Sequence, residues 1–119
     1  MKGKKTPDEK MKSLSAAIKH EIKRWIEINE NGCWDPSWPD GTNMNLIRRH
    51  IIWAKAEMME LHLDSGTALP DEYYLATPPK TDDYYMADPS RAERLLSCCG
   101  KEKITTEKAE YDQLAVMMA

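Results

Sequence analysis

The chain has 119 residues, of which 41% are hydrophobic and 31% are charged, and its net charge is −3. These values predict one globular domain over residues 1–119, with residues 1–6 as a flexible tail, and they leave little room for a second module. No apolar stretch approaches the roughly 20 residues of a membrane span, no apolar signal region follows the basic start, and three cysteines suggest no disulfide framework. We therefore expect a cytoplasmic protein that does not bind membranes.

The first predicted helix begins at Thr6-Pro7-Asp8-Glu9, which has the pattern of a capping box with proline at the first helical position. Asn31-Gly32 is a suitable end, because both residues tolerate a left-handed cap. Between these signals, apolar residues recur at the three- and four-residue spacing of one helical face. They are Met11, Leu14, Ile18, Ile22 and Trp25.

Residues 33–41 contain two prolines and end in Asp-Gly, which excludes a helix or a central strand. Two tryptophans lie in this predicted loop, Trp34 and Trp38, and we expect them to fold back onto a helix. Thr42 or Asn43 then caps a second predicted helix that runs to about Leu63.

The second predicted helix is apolar on more than one side, and such a helix is expected to pack on more than one side. We therefore place it at the centre of the fold. The main stripe is Met44, Ile47, Ile51, Ala54, Met58 and Leu61, and a second set is Leu46, His50 and Trp53.

Residues 67–90 contain an approximate repeat with an offset of eleven positions. Asp71-Glu72-Tyr73-Tyr74-Leu75-Ala76-Thr77-Pro78 is followed by Asp82-Asp83-Tyr84-Tyr85-Met86-Ala87-Asp88-Pro89. The prolines favour extended chain or single helical turns. We expect two short turns laid across the helical hairpin, with one ring of each tyrosine pair buried and its neighbour pointing outward.

A third predicted helix opens at Asp88-Pro89 and closes at Cys98-Cys99-Gly100, with Leu95 and Leu96 facing inward. Thr105 or Thr106 caps a last helix that continues to the end of the chain. No convincing alternating apolar run is present, so no substantial sheet is expected. The predicted fold class is mostly α: a helical hairpin core, two shorter C-terminal helices, an ordered irregular segment rich in Tyr and Pro, and little or no sheet.

Catalytic and metal-binding motifs are missing from the sequence. It has no glycine-rich phosphate loop and no Gly-x-Ser-x-Gly elbow. His20, His50 and His62 are not at paired helical spacing, and Cys98-Cys99 are adjacent rather than Cys-x-x-Cys. We therefore expect a protein that is not an enzyme and has no cofactor and no metal.

The charge is distributed unevenly, with +3 over residues 1–30 and −4 over residues 67–90. Tyrosine is enriched at interfaces, and carboxylates beside it would steer a basic partner. The alternative is that the rings only cover the hairpin while the acids remain solvated. The predicted contacts with a protein that has a basic surface are Asp71, Glu72, Tyr73, Tyr74, Asp82, Asp83, Tyr84 and Tyr85.

A different class of function is a small helical module associated with nucleic acid. Lysine and arginine can contact phosphates, and the candidates are Lys4, Lys5, Arg48 and Arg49. The competing interpretations are a frayed, solvated terminus for the lysines and ordinary surface pairing for the arginines. A pI near 5.6 argues against a dedicated DNA-binding protein.

The sequence contains the core Trp-x-Asp-Gly-x-Asn-x-Asn-Leu-Ile-Arg within four notable runs, Glu27–Trp34, Trp38–Ile52, Leu69–Tyr74 and Tyr84–Ala87. With these runs the sequence resembles a family of small uncharacterised proteins carried by phages and prophages of gut Firmicutes. The resemblance covers roughly residues 27–90, and the core is its most specific element. The resemblance implies a mobile-element setting, where non-enzymatic inhibitors of host defence are common. It therefore suggests an accessory protein that inhibits a host defence nuclease, like an anti-CRISPR protein.

Overall fold

A computed structural model describes residues 5–32, 38–83 and 90–96. Over these residues the protein is mostly helical and contains no strand or sheet, which confirms the predicted fold class. In chain order the elements are α1 (Pro7–Asn31), α2 (Asp40–Ser65), a 3-10 helix (Asp71–Tyr74) and α3 (Ser90–Leu95). The last predicted helix, Trp34 and the three cysteines lie outside the described residues.

The start of α1 is the predicted capping box. The Glu9 amide donates to Thr6 Oγ1 at 3.1 Å, and the Thr6 amide donates to Glu9 Oε1 at 3.4 Å. Two amides that the helix cannot pair internally are thereby satisfied. At the other end, Gly32 has φ 80° and its amide donates to the Ile28 carbonyl at 2.8 Å, so α1 has the predicted bounds.

The start of α2 differs from its prediction, because the helix begins at Asp40 rather than after a Thr42 or Asn43 cap. Pro39 is the N-cap residue, and its carbonyl accepts from the amides of Thr42 at 3.1 Å and Asn43 at 3.3 Å. The fixed φ of proline allows it to lead the chain into the helix although it has no side-chain cap. The helix ends at Ser65, followed by Gly66 in the left-handed conformation with φ 73°.

The core lies along the seam between α1 and α2, which run antiparallel. His50 Nδ1 lies 3.4 Å from Glu21 Oε2 near the middle of the hairpin, while Lys5 shares a surface groove with Asp64 at one end. The predicted apolar residues meet along this seam, each of them 2% exposed or less, which confirms the predicted hairpin. They are Ile18, Ile22, Trp25, Ile47, Ile51 and Met58.

The second packed side of α2 is not the predicted one. Trp53 is 51% exposed and His50 is also exposed, so the set proposed with Leu46 was wrong. The buried residues are instead Asn45, Arg48, Ile52, Lys55 and Met59, which recur at helical spacing. α3 also packs on α2, and its residue Ala92 is 5% exposed, so α2 is central as predicted.

One tryptophan of the predicted loop can be compared with its prediction. Trp38 was expected to fold back onto a helix, but it is 53% exposed and this expectation was wrong. The chain turns directly from Trp38 through Pro39 into the first residue of α2. The turn leaves the ring on the surface.

Candidate protein-binding surface

An extended segment, residues 75–83, lies along α2, and we call it the strap. It runs antiparallel to α2, because its first residues contact Lys55 while its last residues contact Asn45 and Gly41. Pro78 and Pro79 are buried within it, although neither belongs to a helix. The prolines were expected to favour extended chain or single helical turns, and the chain forms one such turn at Asp71–Tyr74 and is extended over the strap.

Three polar side chains of α2 hold the strap, mainly through its main chain. Lys55 Nζ donates to the Leu75 carbonyl and, at 3.1 Å, to Thr77 Oγ1. Arg48 Nε donates to the Pro78 carbonyl at 2.9 Å. Buried charges of this kind are tolerated because oxygens replace the lost water.

Asn45 makes the third and most complete attachment. Its Nδ2 donates to Thr81 Oγ1 at 2.9 Å and to the Asp83 carbonyl at 3.1 Å, while its Oδ1 accepts from the Thr81 amide at 2.8 Å. Thr81 Oγ1 in turn donates to the Gly41 carbonyl at 2.9 Å. The strap is thus fixed where it passes the start of α2.

Gly41 is required by this close approach. A Cβ at Gly41 would lie 2.6 Å from Thr81 Oγ1 and 2.8 Å from Asp83 Cγ, which is closer than side chains pack. The Asp83 carboxylate therefore lies over the first turn of α2, where the helix dipole favours negative charge. Asp83 has a structural role in addition to any role in binding.

The first tyrosine pair divides as predicted. Tyr73 is 0% exposed and belongs to the core, whereas Tyr74 is 57% exposed. The two rings are perpendicular, with centroids 5.1 Å apart, so the buried ring supports the outer one edge to face. The second pair, Tyr84 and Tyr85, lies outside the described residues.

The two acidic pairs, Asp71-Glu72 and Asp82-Asp83, lie at opposite ends of residues 71–83. Glu72 borders a groove with Asp8 and Lys12 of α1, while Asp82 borders a groove of about 440 Å³ near Trp25 and Asn29. These positions along α1 are roughly 20–30 Å apart at 1.5 Å per residue. Asp71, Asp82 and Asp83 are exposed and Glu72 is half-buried.

The four candidate nucleic-acid contacts are not brought together among the described residues. Arg48 is 5% exposed and bonded to the strap, and Arg49 is half-buried with its guanidinium 5.6 Å from the centre of the Trp53 ring. Lys5 is exposed at the far end of the hairpin, where it donates to Ser13 Oγ at 3.2 Å. Lys4 lies outside the described residues.

Asn45 and Lys55 were missed by the sequence analysis. Both occupy helix positions that a hydrophobic pattern assigns to solvent, because asparagine and lysine are usually exposed. The usable signal was their register, since positions 45, 48, 52, 55 and 59 follow one side of a helix.

No protein-family model, curated protein or solved structure matched the chain. Within the described ranges no helix is long and apolar enough to cross a membrane. The same residues contain no group of three or more His, Cys, Asp or Glu side chains that could hold a metal ion.

Proposed function

We propose that this chain is a non-enzymatic binding protein that captures a protein with a basic surface. The contact surface is an acidic rim, which we define as the exposed residues Asp71, Tyr74 and Asp82. The observation that carries the proposal is the division of the tyrosine pair, in which buried Tyr73 supports exposed Tyr74. A supported tyrosine offers contact area at a low cost in conformational entropy.

Charge supports the same kind of partner. Asp71 is exposed in the same four-residue turn as Tyr74, and Asp82 is exposed further along the acidic segment of residues 67–90, whose charge is −4. Carboxylates around an aromatic contact attract a basic surface and disfavour an acidic one. The rim therefore fits a cationic groove better than it fits nucleic acid.

The resemblance to phage and prophage accessory proteins narrows the proposal. In that setting the partner is a host protein in the bacterial cytoplasm, and a defence nuclease is the specific candidate. Nucleases bind a polyanion and therefore present basic grooves, and acidic side chains with an aromatic ring can occupy such a groove. The protein would then act as an inhibitor by occluding DNA.

Capture from host lysate tests the rim. The double variant Asp71→Lys/Asp82→Lys reverses two exposed charges of the rim, while Glu57→Lys/Asp64→Lys reverses two exposed charges on α2. Wild type and the α2 variant should retain the same protein, identified by mass spectrometry, and the rim variant should lose it. Equal retention by all three proteins would place the binding site elsewhere.

A second experiment tests inhibition directly. The captured nuclease should cleave DNA more slowly as wild-type protein is added, and the rim variant should have little effect. A gel shift with DNA alone serves as the opposing test, because DNA binding that weakens steeply with salt would favour the nucleic-acid module instead.

A further inference from the structure

We infer that Asn45 is a positioning residue that concentrates recognition of the cationic partner at the Asp82 end of the rim. This inference rests on the proposed function and adds to it which acid recognises the partner and what holds that acid in place. Asn45 is 0% exposed and cannot contact a partner itself.

The bonds of Asn45 bracket Asp82 in the sequence. On one side Asn45 bonds both the amide and the hydroxyl of Thr81, and on the other it bonds the carbonyl of Asp83. The main chain immediately before and after Asp82 is therefore attached to a long helix. The Asp82 side chain itself remains exposed.

The other end of the rim is held in a different way. Asp71 opens a 3-10 helix of four residues, which packs on α1 and includes two local bonds: Tyr73 amide to Pro70 carbonyl at 3.0 Å and Leu75 amide to Glu72 carbonyl at 3.2 Å. Tyr73 anchors this turn from below by its buried ring. Asp71 is the first residue of this turn, and none of the bonds described for its main chain comes from a side chain of α1 or α2.

This difference should appear in binding. A carboxylate whose main chain is already fixed loses less conformational entropy when it pairs with a cation, so its pairing contributes more to affinity. Asp82 should therefore recognise a cationic side chain directly, whereas Asp71 should act mainly through long-range attraction that salt screens. The groove of about 440 Å³ beside Asp82 leaves room for the stem of a lysine or arginine.

A double-mutant cycle tests the inference, with a fluorescein-labelled nona-arginine peptide as the probe and fluorescence anisotropy as the readout. At about 0.15 M salt, Asp82→Asn should weaken binding about fivefold and Asp71→Asn less than about twofold. In an Asn45→Ala background, the effect of Asp82→Asn should shrink to about twofold or less, while that of Asp71→Asn is unchanged.

The coupling between Asn45 and Asp82 in this cycle distinguishes a positioning role of Asn45 from a general contribution to stability. A purely structural Asn45 would lower the melting temperature but leave the two aspartate effects as they are in wild type. If Asn45→Ala does not fold, as judged by circular dichroism, Thr81→Val provides the second background, since it removes the hydroxyl that Asn45 and Gly41 share.

The outcomes are distinguishable. An Asp82→Asn effect that is equal in both backgrounds, or an Asp71→Asn effect as large as that of Asp82→Asn, overturns the inference and leaves the proposed function standing. If neither aspartate change weakens peptide binding relative to Glu57→Gln on α2, the acidic rim itself is wrong.

Discussion

The two packed sides of α2 consist of different kinds of side chain. Toward α1 the helix presents aliphatic and methionine side chains such as Ile47, Ile51 and Met58, which are almost fully buried. Toward the strap it presents Asn45 and Lys55, which are just as deeply buried but bond to oxygens of the main chain and of threonine. The same helix therefore uses packed area on one side and directed hydrogen bonds on the other.

The comparison shows what each side contributes. Apolar contacts stabilise in proportion to the area removed from water, and they tolerate small shifts along the seam. Hydrogen bonds from buried polar groups add little net stability, but a broken one leaves an unsatisfied group at considerable cost. We infer that the seam provides most of the stability and that the polar side fixes the position of the strap.

The largest expected effect is on the seam. Ile51→Ala should lower the free energy of unfolding by about 2–5 kcal/mol, because it removes buried methyl groups and leaves a cavity. Denaturant unfolding followed by circular dichroism measures this, and Leu63→Ala, at a site 56% exposed, is the control. A loss below about 0.5 kcal/mol would contradict the central position of Ile51.

The next effect is on the polar side. Lys55→Met should cost about 1–3 kcal/mol, because two oxygens of the strap lose their donor while methionine fills the volume. Lys23→Met, on the exposed surface of α1, is the matched control, and an equal effect there would argue against a buried amine.

A smaller effect is expected at the end of the strap. Thr81→Val should cost about 1 kcal/mol, because its hydroxyl accepts from Asn45 and donates to Gly41. Native-state hydrogen exchange should show faster exchange at the amides of residues 81–83 and unchanged protection in α1. Uniformly faster exchange would mean that the strap does not open separately from the hairpin.

The smallest effect is expected on the rim. Asp71→Lys/Asp82→Lys should change the free energy of unfolding by less than about 0.5 kcal/mol, since exposed charges contribute little. Asp83→Lys should lower the free energy of unfolding more than Asp71→Lys or Asp82→Lys does, because it places a positive charge at the start of α2. Thermal melts at matched ionic strength measure both, and equal losses for Asp82 and Asp83 would contradict the role given to Asp83.

The sequence predicted the elements whose signals are local. The capping box of α1, its end at Gly32 and the apolar seam were predicted correctly, because helix caps and apolar periodicity operate within a few residues. The division between Tyr73 and Tyr74 was also anticipated, since two adjacent rings cannot both be buried on one side of a short turn.

The polar side of α2 could not be predicted in the same way. Asn45 and Lys55 are buried only because the strap covers them, and their partners lie 20 to 38 positions further along the chain. Periodicity of apolar residues contains no information about such partners, and it therefore predicted the second packed side at Leu46, His50 and Trp53. Polar residues that recur at helical spacing on α2, together with a proline-rich segment able to cover them, would have indicated the correct side.

The sequence separation of the strap contacts also has a consequence for folding kinetics. The hairpin can form from two neighbouring helices, whereas the strap can be held only after α2 has presented Asn45, Arg48 and Lys55 on one side. Contacts that form after the transition state affect the rate of unfolding and leave the rate of folding nearly unchanged. Lys55→Met should therefore increase the rate of unfolding and leave the rate of refolding nearly unchanged. Ile51→Ala should increase the rate of unfolding and also slow refolding.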